Sequence, residues 1–350
     1  MVKLAMNSKY VLYKVKNIFF NLNIWQFSVL LFFIIVIKNG VHPIGKEWID
    51  WLYEASADFP TGSSYLSFSI LPIAEVRVLN YPTYFSWWVI NLFLTFSVSL
   101  FFIFTIINTY GAHAKKALMI FCTLPLFISP YLYLGHYDLF SIFAAFIAWQ
   151  SQSKIVIFMA SLIAVFTNVE QSMVTAISLF LLYISTKDKN CKTIMYFWCF
   201  SSLLGYIFLS INLNDSFISN RASSNLGFAT AFQESLGIIN LLVFALFGVA
   251  WFWVFFGFQE VRHFMILISI VFIPLFISMA TVDRTRVGVA VGALPILLFF
   301  KYILENSNIL NLSEKYFYQY LIIYLFIPQF FVDNGEILRL PYKELFSLFV

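Results

Sequence analysis

Charge is scarce in this chain: only 11% of its residues are Asp, Glu, Lys or Arg, against about a quarter in soluble domains. A solvated surface over most of the molecule is therefore excluded. No polar stretch exceeds about 50 residues, the low end of domain size, so no separate soluble domain is expected. Cysteine is scarce too. Cys122, Cys191 and Cys199 lie in or beside apolar runs without ligand spacing, which excludes a disulfide framework and a thiolate metal site. No small-x-small cleavage site follows the first apolar run, 24–37, so a cleaved signal peptide is not expected. Neither a metal nor a cofactor is indicated, and no nucleic-acid partner is expected.

What remains is apolar. Hydrophobic residues make up 61% of the 350, with 44 Phe, and the mean hydropathy is +0.86. Such a composition belongs to a polytopic membrane protein, whose first partner is the lipid bilayer. Apolar runs fall at about 24–37, 86–108, 117–134, 139–150, 155–167, 171–185, 193–212, 237–257, 264–281, 287–304 and 317–332. They predict an all-α bundle of about eleven spans in one integral membrane domain, 1–350. The runs 139–150, 155–167 and 171–185 are shorter than the roughly 20 residues of a full crossing, and tilted or re-entrant segments remain open there.

Lys3, Lys9, Lys14 and Lys16, with no acid in residues 1–23, place the N-terminus in the cytoplasm. On that topology the inner segments hold thirteen bases and four acids, and the outer ones eight bases and thirteen acids. A positive inside is what insertion physics requires. The expected location is an inner (plasma) membrane, with outer segments at 39–85, 213–236 and 333–350.

The stretch from His42 to Phe59 concentrates this chain's rare charge. Glu47, Asp50, Glu54 and Asp58 step by three, four and four, so a helix would line them along one face. Trp48, Ile49, Trp51, Leu52 and Tyr53 would cover the other, as on a helix lying at a membrane surface. A solvated connector would carry the same pattern. Four further polar clusters fall on the same predicted side: Gly135-His136-Tyr137-Asp138, Asn168-Val169-Glu170-Gln171, the loop 214–234 with Arg221, and Asp283-Arg284-Thr285-Arg286. The middles of the apolar runs carry no ionisable side chain, where transporters and pumps usually place theirs.

His136 and Asp138 suit a hydroxyl-rich or phosphate-bearing ligand, or else cap the run that follows. Glu170, between two short runs, must reach water or a base. Arg284 and Arg286 offer forked, permanently charged donors for a phosphate, with Asp283 beside them; a snorkelling anchor pair is the plainer alternative. Carboxylates and guanidiniums on one face suit sugar transfer from a lipid-linked donor. A carboxylate takes the acceptor hydroxyl's proton and cations stabilise the departing phosphate. The stretch 42–59 supplies the candidate bases, Glu47, Asp50, Glu54 and Asp58.

On these residues the chain resembles the GT-C superfamily of integral membrane glycosyltransferases, in its polyprenyl-phosphate-mannose-using branch. Asp50, Tyr53, Ala55, Ala57, Gly62 and Tyr65 follow the branch's pattern after the first span. Tyr81-Pro82-Thr83 is similar to its Tyr-Pro-Pro entry to the second, and Gly135-His136-Tyr137-Asp138 to its Gly-Gln-x-Asn motif. Where the branch commonly carries Lys-Pro, this chain reads Thr167-Asn168-Val169-Glu170. The resemblance spans roughly residues 20–185. It implies a GT-C-like fold, Asp50 as general base, a polyprenyl-linked sugar donor and a glycan, lipid or protein acceptor. Two other expectations stay open: an O-antigen-type repeat-unit polymerase, and a flippase or transporter for lipid-linked saccharides.

Overall fold

The computed structural model describes residues 21–42, 46–57, 69–80, 83–212, 225–261, 264–281, 284–306, 309–327, 331–333 and 336–338. Its helices in chain order begin with α1 (Ile24–Asn39), α2 (Lys46–Ala57), α3 (Ile70–Val78), α4 (Tyr84–Tyr110) and α5 (Ala114–Cys122). Next come α6 (Pro125–Leu132), α7 (Asp138–Gln150), α8 (Lys154–Thr167), α9 (Val169–Thr186) and α10 (Lys189–Asn212). After these come α11 (Asn225–Leu236), α12 (Ile239–Phe247), α13 (Trp251–Val261) and α14 (Phe264–Met279), the last with a π turn at Ile268–Phe272. The series ends with α15 (Arg284–Asn306) and α16 (Ile309–Phe326), then a short antiparallel pair, β1 (Phe331–Asp333) and β2 (Glu336–Leu338).

Five of the described helical stretches are long and apolar enough to cross a membrane: Tyr84–Cys122, α9, α10, Ile239–Phe258 and Arg284–Glu305. Four shorter apolar helices accompany them: α1, α7, α8 and α14. This is a helical membrane protein. The apolar run at 117–134 is divided, because Pro125 starts a new helix after Thr123–Leu124 and proline supplies no N–H to continue the old one. The reversal between α8 and α9 takes a single residue, Asn168. Its N–H closes α8 on the Ala164 carbonyl, and its side chain accepts from Gln171 N at 2.9 Å to start α9.

α15 is the central post: 89% of its apolar window is buried inside the protein, against 39% for α10. It packs on α7, α9 and α14. The α14–α15 approach depends on Gly288 and Gly292. A Cβ on Gly288 would collide with Ser278 Oγ and lie 3.0 Å from the Pro274 carbonyl, and one on Gly292 would lie 3.2 Å from Pro274 Cγ. Glycines four apart let two helix backbones come this close. Outward faces such as Phe93, Leu100, Phe200 and Leu203 are exposed and apolar, as lipid contact requires. A small satellite core of Ile49, Leu52, Ala55, Ile73, Val76 and Trp87 joins α2, α3 and the start of α4, separate from the main core.

Candidate functional site

Three helices begin at the same end of the bundle. Asp138 opens α7 and pairs with Arg286 in the first turn of α15. In α9, the Thr175 hydroxyl donates to the Val291 carbonyl of α15 at 3.1 Å. Glu170 and Arg286 each lie five residues earlier, so their two helix starts stand at one level. Acids at helix N-termini are favoured by the backbone dipole, but arginines there are opposed by it. Arg284 and Arg286 are only 2% and 3% exposed, so each needs an anion beside it.

Arg286 has one. Its Nη1 donates to Asp138 Oδ2 at 2.7 Å, and His136 Nδ1 lies 2.7 Å from the same nitrogen. A guanidinium does not give up its proton, so the Arg286 cation faces the imidazole and the carboxylate together. His136 Nδ1 also lies 3.3 Å from Asp138 Oδ2, so histidine, carboxylate and arginine form one buried cluster. His136 is carried here by a tight turn in which Gly135 has φ +94°, a conformation glycine adopts without steric cost. The segment after α1 braces that turn: His42 N donates to the Tyr131 carbonyl at 2.9 Å, and Leu134 N to the His42 carbonyl at 3.0 Å. Asp138 is not the N-cap of α7 as a capping turn would have it. Tyr137 occupies that position and its side chain does not cap the helix, while the Asp138 carboxylate is committed to Arg286.

Helix α2 reaches this cluster through Trp48. The indole stacks on the His136 ring, with centroids 4.6 Å apart and planes at 26°, and also on Tyr137 at 5.7 Å. The helix itself forms where the spacing of its acids predicts one. Ile49, Leu52 and Ala55 are buried, whereas Trp51 and Tyr53 are exposed. The reason is its packing partner: α3 offers Ile73 and Val76, enough to cover one narrow stripe. Asp50 is half-buried, Glu47 and Glu54 are exposed, and Asp50 takes part in a further polar or electrostatic contact.

Arg284 is held differently from Arg286. Its Nη2 donates to Glu234 Oε2 at 2.8 Å, and the Glu234 side chain is 60% exposed. Its Nε is buried and has no hydrogen-bond partner among the described residues. Neither arginine is an open phosphate cradle in this state, and neither is a snorkelling anchor, since both guanidiniums are buried and paired. Asp283, Arg221 and Asp58 lie outside the described residues, as do Gly62, Tyr65, Tyr81 and Pro82 of the family pattern.

One turn beneath the cluster a cavity of about 10 Å³ opens between α7, α8, α9, α10 and α15, lined in part by Ser141, Gln171, Ser172, Thr175 and Trp198. Gln171 Oε1 and Trp198 Nε1 are buried and have no hydrogen-bond partner among the described residues. Space of this size admits about one water, so no sugar ring fits there. Among the described residues no group of three His, Cys, Asp or Glu side chains could hold a metal ion.

The chain matches no protein-family model, no curated protein and no solved structure.

Three residues of this end escape a reading of the sequence: Trp48 as a stacking partner, Glu234 as the arginine's anion, and Glu75. Glu75 is half-buried on α3, and burial pushes its carboxyl up to about 7. The available signal was a lone acid inside the apolar stretch Ile70–Val78. For Trp48 and Glu234 there was none, because stacking and long-range ion pairs depend on tertiary proximity.

Proposed function

We propose that this chain is a GT-C-like membrane glycosyltransferase of about eleven spans, with a cytoplasmic N-terminus and its site at the outer face. It takes a sugar from a polyprenyl-phosphate or diphosphate carrier and passes it to a hydroxyl of a glycan, lipid or protein. One juxtaposition carries the reading. An acid-bearing helix, α2, is seated by Trp48 on His136, where Arg286 and Asp138 are buried together and three helices begin. A base and fixed positive charge at one water–lipid boundary are what this transfer needs.

In the reaction, Asp50 accepts the proton of the acceptor hydroxyl as its oxygen bonds to the anomeric carbon. The bond from that carbon to the phosphate oxygen breaks, and the carrier phosphate leaves with the electron pair. Charge grows on the phosphate as it departs, so a guanidinium aimed at it stabilises the transition state more than the ground state. Asp50→Asn keeps the side chain's size and removes its basicity. It should abolish transfer from a polyprenyl-phosphate sugar while the purified protein keeps its wild-type melting temperature. If Asp50→Asn retains transfer and Glu47→Gln loses it, the base lies one turn earlier; activity in both variants would sink the assignment to α2. A carrier for lipid-linked saccharides is the second reading. It predicts transbilayer movement of the lipid without bond cleavage.

A further inference from the structure

The geometry points to Arg284 as a binding site for a phosphate oxyanion, with Glu234 as a displaceable carboxylate that occupies the site in its absence. The two buried arginines of α15 differ in what holds them. Asp138, the anion on Arg286, is buried to the same degree as the guanidinium, both side chains being 4% exposed. Withdrawing it would leave two opposite charges unsolvated, so that pair is a permanent fixture. Glu234, the anion on Arg284, has a side chain 60% exposed, against 3% for the arginine. An exposed carboxylate can turn into water at little cost, whereas a buried guanidinium always requires an anion.

The hydrogen-bond pattern identifies the replacement. The Nε and Nη2 protons of a guanidinium point to the same side and form one edge suited to two oxygens of a single oxyanion. Glu234 uses only Nη2, through Oε2, and among the described residues the buried Nε–H has no partner. The edge is thus half filled. A phosphate, with several equivalent oxygens, fills both positions. The ligand class is accordingly a phosphate monoester or diester, either on a membrane-anchored carrier or free in solution. Only the carrier as source rests on the glycosyltransferase reading.

The test uses the full chain in detergent micelles, with farnesyl phosphate and inorganic phosphate as probes. Melting temperature and a binding isotherm are the readouts, and no transfer step is involved. Glu234→Gln removes the competing charge. It should melt lower than wild type without phosphate, recover on adding it, and bind the better probe roughly fivefold more tightly, the worth of an exposed ion pair. Arg284→Lys keeps the charge without the edge and should lose most of the binding. Should Glu234→Gln fail to fold, Glu234→Asp, with its shorter reach, should show the same increase in smaller measure. Farnesyl phosphate binding well above that of inorganic phosphate assigns the carrier as source, and equal binding assigns free phosphate. Equal phosphate affinity in wild type and the Glu234 variants, or binding that survives Arg284→Met, overturns the proposal. Intact phosphate binding in a protein that transfers no sugar would remove the enzyme reading and leave this site standing.

Discussion

At the scale of single residues, burial decides what each charge can do. Arg286 and Asp138 are held so far from water that neither can be removed alone without stranding the other. Breaking such a pair typically costs about 3–5 kcal/mol, whereas replacing both members by apolar residues is often neutral. Arg286→Ala should therefore lower stability by about that amount, and Arg286→Met combined with Asp138→Leu should recover most of it in a thermal melt. A double variant as unstable as the single one would mean that the cluster's other contacts dominate. Glu75 presents the opposite case, a half-buried acid whose carboxyl burial pushes up from 4.5 to about 7. The folded state favours its protonated form, so its contribution to stability is complete below about pH 4.5 and lost as pH rises through about 7. Glu75→Gln should flatten the melting-temperature profile over that window and stabilise the protein at pH 8. An unchanged profile would assign the slope to another group.

At the scale of elements, two contacts set the geometry. Helix α2 belongs to the satellite core with α3, and Trp48 stacks it on the main bundle's His136. The amphipathic spacing of 46–57 was legible because charge is so rare in this chain. Which hydrophobic residues would turn inward was not, because that depends on the width of the stripe α3 presents. The second contact is the approach of α14 to α15 at Gly288, where the Pro274 carbonyl leaves no room for a branched side chain. Gly288→Val should cost about 1–3 kcal/mol as overpacking, read as a lower melting temperature. Because Gly288 lies only two residues after Arg286, the variant should also weaken any phosphate binding measured at Arg284. A Val variant that melts like wild type would show that α14 yields without cost.

At the scale of the whole molecule, the ion clusters gather at one end of an apolar bundle. His42, Trp48, His136, Asp138, Glu234, Arg284 and Arg286 come from four separated stretches of chain and are linked through stacking, ion pairs and backbone bridges. The proposed sidedness puts that end outside. With the three native cysteines replaced by serine, a cysteine at the exposed Glu54 should react with an impermeant thiol reagent added to intact cells. One at the exposed Lys189 should not. Labelling of Lys189 alone would invert the protein in the membrane and move the site to the cytoplasmic face.

By itself the sequence determined the helical membrane class, the rough placement of most apolar runs, and the short list of polar clusters from which any site had to be drawn. These follow from composition and local periodicity, because the bilayer penalises charge and unpaired backbone wherever they occur. Only the tertiary structure decided which cluster met which. The His136–Asp138 turn is joined to Arg286 across 148 residues, and Arg284 to Glu234 across 50. Side-chain type reveals that a buried arginine needs an anion. Which carboxylate supplies it, and whether that carboxylate is itself buried or free to leave, depends on how the helices pack.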